Sequence, residues 1–162
     1  MQTFTHVLAP FDFGDPSEHA LEVATSLAEK FGAKITLLHS TWMPPAAYAG
    51  APYPIAWPLD DMERNAKQSL EPVLAKLKAR VPSAEAVFAM GEPWEQILQT
   101  AQSRGADLIV MGTHGRRGVQ RFFLGSVAEK VVRLSAVPVL TVSAPRDREA
   151  KEKMAAAATA SR

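Results

Sequence analysis

Apolar residues in this chain fall into short runs that alternate with helical stripes. The first run, HVLAPF at residues 6–11, ends against Asp12, and GDPSEHALEVATSLAEKFG follows it. There Ala20, Val23, Ala24, Leu27, Ala28 and Phe31 recur at helical spacing, which predicts a helix stopping at Gly32. Asp15 suits its N-cap, Pro16 its first position and Glu18 the third, in the manner of a capping box. KITLLHS, residues 34–40, predicts a second strand, residues 84–90 a third, ADLIVM at 106–111 a fourth and VPVLTVS at 137–143 a fifth. Between them, Met62, Ala66, Leu70, Val73 and Leu77 mark a helix over 60–80, with a kink or break near Leu70 because Pro72 interrupts it. Pro93 opens a helix to Arg104, and Ser126 opens one to Ser135.

Strand and helix alternate four times and a strand closes the series. Such alternation implies parallel pairing through right-handed crossovers, hence a doubly wound α/β sheet with helices on both faces. The strands lack clean polar alternation, as expected where both faces of a sheet are buried. Two stretches break the rhythm. Residues 41–60, TWMPPAAYAGAPYPIAWPLD, hold five prolines and the aromatics Trp42, Tyr48, Tyr53 and Trp57, and a loop of that length is often functional. From Pro145 the chain is charged and then alanine-rich, with almost nothing large to bury. A domain over 1–144 with a flexible tail over 145–162 is the expected organisation.

Composition narrows the function. The 162 residues fit one domain with a proper core, 47% hydrophobic and 22% charged. Eighteen basic residues against seventeen acidic ones leave +1, too balanced for a protein whose main partner is nucleic acid. No cysteine is present, which excludes disulfides, thiolate metal sites and a cysteine nucleophile. His6, His19 and His39 lack metal-ligand spacing. No apolar run approaches a membrane span and the N-terminus has no signal-like pattern, so a cytoplasmic location is expected.

The candidate chemistry lies in GTHGRRGVQRFFLGS, residues 112–126, which holds four of the nine glycines between the fourth strand and the last helix. Glycines let backbone amides approach an anion with no Cβ in the way, and a helix start at Ser126 would offer unpaired amides to phosphate. The competing reading is structural: Ser126 with Glu129 is S-x-x-E, an ordinary capping box. The spacing of Gly112, Gly115, Gly125 and Ser126 is G-x2-G-x9-G-S. Ligands of open parallel sheets bind beyond the carboxyl ends of the strands where the winding reverses. If the first and fourth strands are neighbours, Asp12 and this segment face one crevice.

Together APFDFGDPSEHAL, LLHS, DLIVMGTHGRRG and LGSVAEKVVRLSAVPVLTV resemble the universal stress proteins, specifically their ATP-binding branch, over nearly the whole chain. The resemblance implies an adenine nucleotide alpha hydrolase-like sheet of five strands in the order 3-2-1-4-5, which makes the first and fourth neighbours. It implies ATP as ligand, with Gly112, Gly115, Gly125 and Ser126 at the phosphates and Val127 continuing the helix-start contact. Asp12 would lie near the adenosine with Pro10 and Phe11 beside it, and the backbone at Ser40 would meet the adenine. Met111 and His114 fall inside the same motif, His114 as a phosphate contact or a turn residue. A homodimer paired through the last strand, Val137 to Val142, is also implied. Phe11 departs from the small or β-branched residue of the pattern, which would narrow the adenine pocket. Arg116, Arg117 and Arg121 are either phosphate neighbours or solvated loop cations, and the aromatics of 41–60 either cover a base or pack on the sheet edge.

Binding is better supported than catalysis. No G-x4-G-K-[ST] supplies a P-loop lysine, and no G-x-G-x-x-G follows the first strand. Asp12 could hold ribose hydroxyls or bind magnesium with the phosphates, and one carboxylate does not make a hydrolase. The leading expectation is an ATP-binding homodimeric sensor or regulator in stress response, in which any hydrolysis would be slow. An interaction module with a vestigial nucleotide site and an unidentified protein partner is the second. A nucleotidyl-transfer or hydrolytic enzyme, resting on fold analogy alone, is the third.

Overall fold

The computed structural model describes residues 3–42, 58–113 and 124–143. Within them the order is β1 (His6–Pro10), α1 (Asp15–Phe31), β2 (Lys34–Thr41), α2 (Leu59–Arg80), β3 (Glu85–Met90), α3 (Pro93–Arg104), β4 (Leu108–Gly112), α4 (Ser126–Leu134) and β5 (Val139–Val142). The five strands form one parallel sheet in the order β3-β2-β1-β4-β5. The expected doubly wound α/β sheet, its strand order and the adjacency of the first and fourth strands are all present.

Each strand divides its residues between two apolar layers. Val7, Ala9 and Phe11, with Ile35, Leu37, Leu108 and Val110, meet Ala20, Ala24 and Ala28 of α1 and Leu70 and Leu77 of α2. Leu8, Leu38, Ile109 and Met111 meet Ile97 and Ala101 of α3 and Ala128 and Val131 of α4. The alanine stripe of α1 lets that helix lie close to the sheet, and closest at β4. A Cβ on Gly112 would stand 2.9 Å from both the carbonyl carbon and the Cβ of Pro16. Gly112 is therefore used by the fold, as the place where the first turn of α1 rests.

Four local expectations are corrected. The N-cap of α1 is Gly14, one residue earlier than Asp15, with no side-chain cap. The cause is Asp12, whose Oδ1 accepts the Gly14 N–H at 3.0 Å and turns the chain before Asp15 is reached. At α4 the N-cap is Gly125, so Ser126 is already helical and no capping box forms on it. Gly125 is fixed there by its N–H, which donates to the Thr113 carbonyl at 2.8 Å. Pro72 does not break α2, which runs as one helix. Leu70 and Leu77, on either side of the proline, are buried in the same layer, and that packing offsets the hydrogen bond proline cannot make. The last strand begins at Val139 and not Val137. Ser135 Oγ bridges the Val137 carbonyl at 2.7 Å and its N–H at 3.2 Å, holding a turn ahead of the strand.

At the amino ends of the strands, polar groups tie the sheet together. Asp107 accepts the Thr5 N–H at 2.8 Å, the Thr5 hydroxyl at 2.7 Å and the His6 N–H at 3.0 Å. His6 is buried, with Nδ1 donating to the Arg104 carbonyl at 3.0 Å and Nε2 2.8 Å from Thr36 Oγ1. Thr36 Oγ1 also lies 2.9 Å from Glu85 Oε1, so its one hydroxyl hydrogen faces two acceptors. Arg104 Nη1 donates to the same Glu85 oxygen at 2.9 Å. Burial and the nearby charge of Lys34 push the His6 imidazole below its ordinary pKa. Among the described residues no helix is long and apolar enough to cross a membrane.

Candidate functional site

Because β1 and β4 are neighbours, the segments that leave their carboxyl ends share one edge of the sheet. This is the point where the winding reverses, with α1 on one face and α4 on the other. The β1 segment is built around Asp12. Its N–H donates to Ser17 Oγ at 3.2 Å, and Ser17, itself buried, donates its hydroxyl to the Gly14 carbonyl at 2.9 Å. With the Gly14 N–H on Oδ1, Asp12 closes a small hydrogen-bonded loop on the head of α1. Its side chain is a carboxylate, an acceptor suited to hydroxyl and amide donors.

At the same edge of the sheet, beyond β4, stands the start of α4. An α-helix cannot pair its first amides internally, and their dipoles sum to partial positive charge. The N-cap amide is taken by Thr113, and the Thr113 N–H in turn donates to the Val142 carbonyl at 3.0 Å, so this turn is pinned to the sheet. The next three amides belong to Ser126, Val127 and Ala128, none of which carries charge. The other helices place acids in their opening turns: Asp15 and Glu18 in α1, Asp60 and Asp61 in α2, Glu95 in α3. Glu129, the acid in the first turn of α4, stands fourth, as Glu18 does in α1, and pairs with Arg133 at 3.4 Å, so α4 alone of these helices has no acid among its first three residues. Of the helix starts, that of α4 is the one best suited to an external anion.

The expected site residues are distributed as follows. Pro10 ends β1, Asp12 follows it and Ser40 lies near the end of β2, all three half-buried. Gly125 and Val127 are half-buried and Ser126 is exposed at the head of α4. Phe11 is buried in the layer beneath α1 and α2, with its ring packed edge-on against Phe13. Met111 is buried in the opposite layer, and Gly112 seats Pro16. His114, Gly115, Arg116, Arg117 and Arg121 lie outside the described residues, as do Tyr48, Tyr53 and Trp57. Trp42 is exposed and donates its Nε1–H to Glu92 Oε1 at 2.7 Å, at the head of α3.

Sequence reasoning did not point to Ser17, Phe13 or His39. Phe13 has φ 63°, the one positive φ of a non-glycine among the described residues. His39 donates Nδ1–H to the Phe11 carbonyl at 2.8 Å. A signal for His39 was present: strand alternation puts it on the face of Leu37, where an imidazole needs a polar partner.

This chain belongs to the universal stress protein family, whose model matches residues 3–143. Universal stress protein YxiE of Bacillus subtilis is 33% identical over 146 residues, covering 86% of this chain and 99% of that one. Solved structures that share the fold include two nucleotide complexes. A universal stress protein from Archaeoglobus fulgidus in complex with dAMP has TM-score 0.60 at 24% identity, covering 88% of this chain and 99% of its own. A universal stress protein in complex with cAMP has TM-score 0.62 at 21% identity, with 88% and 99% covered. At these identities the likeness to the two complexes is one of fold.

Proposed function

We propose that this chain binds an adenine nucleotide, ATP foremost, in the crevice between the Asp12 loop and the head of α4, and acts as a homodimeric sensor. The observation that carries the reading is the pairing of opposite chemistries across one seam of the sheet. A hydrogen-bonded carboxylate stands at the end of β1, and a helix start whose first three residues are uncharged is fixed to the sheet beyond β4 through Thr113. The donor set fits the ligand's two ends. Helix amides at Ser126, Val127 and Ala128 suit phosphate oxygens, and a carboxylate suits ribose hydroxyls. The adenine nucleotides named in the two fold relatives support the choice of base.

ATP would supply a charged triphosphate and no chemistry that these residues consume. Asp12 orients the nucleoside, the α4 amides neutralise phosphate charge, and Gly125 permits close approach. Among the described residues no group of three or more histidines and carboxylates could hold a metal ion. A magnesium ion here would be carried by the phosphates, with Asp12 as one ligand. The interaction-module reading leans on the bulk of Phe11, whose ring is buried in the layer beneath α1 and α2.

The edge of the sheet supports the dimer. β5 ends the sheet on one side, and Leu140 on it is exposed, as are Val132 and Leu134 of α4. An open apolar edge strand seeks a partner strand, and a second copy supplies one.

Calorimetric titration of ATP and adenosine into wild type and Gly125→Val tests the phosphate assignment. The variant is expected to lose about tenfold or more in ATP affinity, the price of a blocked approach, while binding adenosine as before. Equal ATP affinity in both proteins would refute it.

A further inference from the structure

Asp12 sits between two residues that are both gripped by one side chain of the neighbouring strand. Before it, the Phe11 N–H donates to the Leu38 carbonyl at 2.8 Å, and the Phe11 carbonyl accepts His39 Nδ1–H at 2.8 Å. A carbonyl cannot donate, so Nδ1 carries the hydrogen and the orientation of the ring is set. After it, Phe13 packs edge-on against the imidazole of His39, ring centroids 5.0 Å apart, and edge-on against Phe11 at 5.0 Å. His39 is backed in turn by Phe88 of β3, stacked at 6.1 Å. The grip holds a conformation the chain would otherwise leave. An aromatic residue at φ 63° is in a region that L-residues avoid, and such backbone persists only where its surroundings over-determine it.

We infer that His39 is a positioning residue for nucleoside binding, holding the Phe11–Phe13 backbone so that Asp12 is preset for the ribose. This rests on the adenine-nucleotide reading and extends it to a residue with no contact to the ligand. His39 lies on the sheet face opposite Ser40 and acts through the β1 loop alone. Its contribution is pre-organisation: a loop already ordered loses less entropy when the ligand arrives. The prediction concerns the nucleoside end, since α4 is anchored separately through Thr113 and Val142.

The test is titration of ATP and of adenosine into wild type, His39→Leu and His39→Asn, with a urea melt of each protein. Leucine fills the space without a donor, while the asparagine amide can place an N–H where Nδ1 stands. His39→Leu is expected to weaken ATP and adenosine by the same factor, about tenfold, the scale of one lost hydrogen bond. His39→Asn is expected to restore affinity to within about threefold of wild type, which general loosening of the core would not do. Folded His39→Leu that binds both ligands like wild type overturns the inference and leaves the nucleotide reading intact, as does a loss confined to ATP. Wild type that binds neither ligand overturns the nucleotide reading and the inference with it. Should His39→Leu fail to fold, Phe13→Gly decides. Glycine relaxes the positive φ and releases the ring contact, so adenosine affinity must fall and exchange of the Gly14 amide must quicken. Unchanged affinity and exchange in that variant overturn the inference.

Discussion

Gly112→Ala probes the contact on which the geometry of the crevice depends. The new methyl carbon would lie 2.9 Å from the Pro16 carbonyl carbon and from its Cβ, and 3.0 Å from its carbonyl oxygen. Comfortable carbon–carbon separations are about 3.5–4.0 Å, so the overlap is roughly 0.6 Å or more. It falls on backbone at the start of a helix, which cannot swing aside as a flexible side chain would. Overpacking of this kind costs about 1–3 kcal/mol. Replacing glycine also restricts the unfolded chain, which offsets about 0.4–1 kcal/mol. The net loss is then about 1–2 kcal/mol, or a melting temperature lower by roughly 2–8 °C for a domain of this size. Urea denaturation followed by circular dichroism measures it as a lower midpoint at unchanged slope. Because Ser17 and the Asp12 loop are attached to the same turn of α1, adenosine affinity should fall with stability. A variant with the wild-type midpoint would refute the packing argument and return Gly112 to a role at the ligand alone.

Two further predictions address pH and assembly. Burial raises the Asp107 carboxyl, but hydrogen bonds from His6 and Thr5 outweigh it and leave its pKa below the ordinary value. The stability it contributes is present above the unfolded value, about 3.9, and is lost as pH falls through the folded one. Asp107→Asn should therefore lower the urea midpoint at pH 7 and flatten its decline below about pH 4; an unchanged acid limb would refute the assignment. The depressed His6 imidazole acts in a higher window. The unfolded chain binds a proton there first, so stability should decline as pH drops below about 6.5, and His6→Gln should remove that slope. At the open edge, Leu140→Arg should place like charges opposite one another across a paired β5 and yield monomer by sedimentation velocity; a persistent dimer would move the interface elsewhere.

The architecture was legible because buried parallel strands and amphipathic helices leave different periodicities, and glycine and proline punctuate them. That pattern put Asp12 and the glycine segment at strand ends. What was not legible came from contacts between residues distant in sequence or from side chains overriding local preference. The N-cap of α1 moved from Asp15 to Gly14 because an Asp12 oxygen takes the Gly14 amide, a bond invisible to a capping pattern. Leu70 and Leu77 carry α2 through Pro72 because both are buried against the sheet, which propensity cannot register. The burial of the Phe11 ring in the layer beneath α1 and α2 likewise depends on residues far along the chain. The grip of His39 on the Phe11 carbonyl joins residues 28 apart in sequence and needed the pairing of β1 with β2 to be seen.

The central claim is that an adenine nucleotide occupies the crevice between Asp12 and the head of α4. The most direct measurement is mass spectrometry of the small molecules released when freshly purified protein is denatured, beside a calorimetric titration with ATP and magnesium. The account predicts ATP or another adenine nucleotide among the released molecules, and saturable binding at micromolar concentration, about −8 kcal/mol. A protein that releases no nucleotide and ignores ATP, ADP and AMP would contradict it.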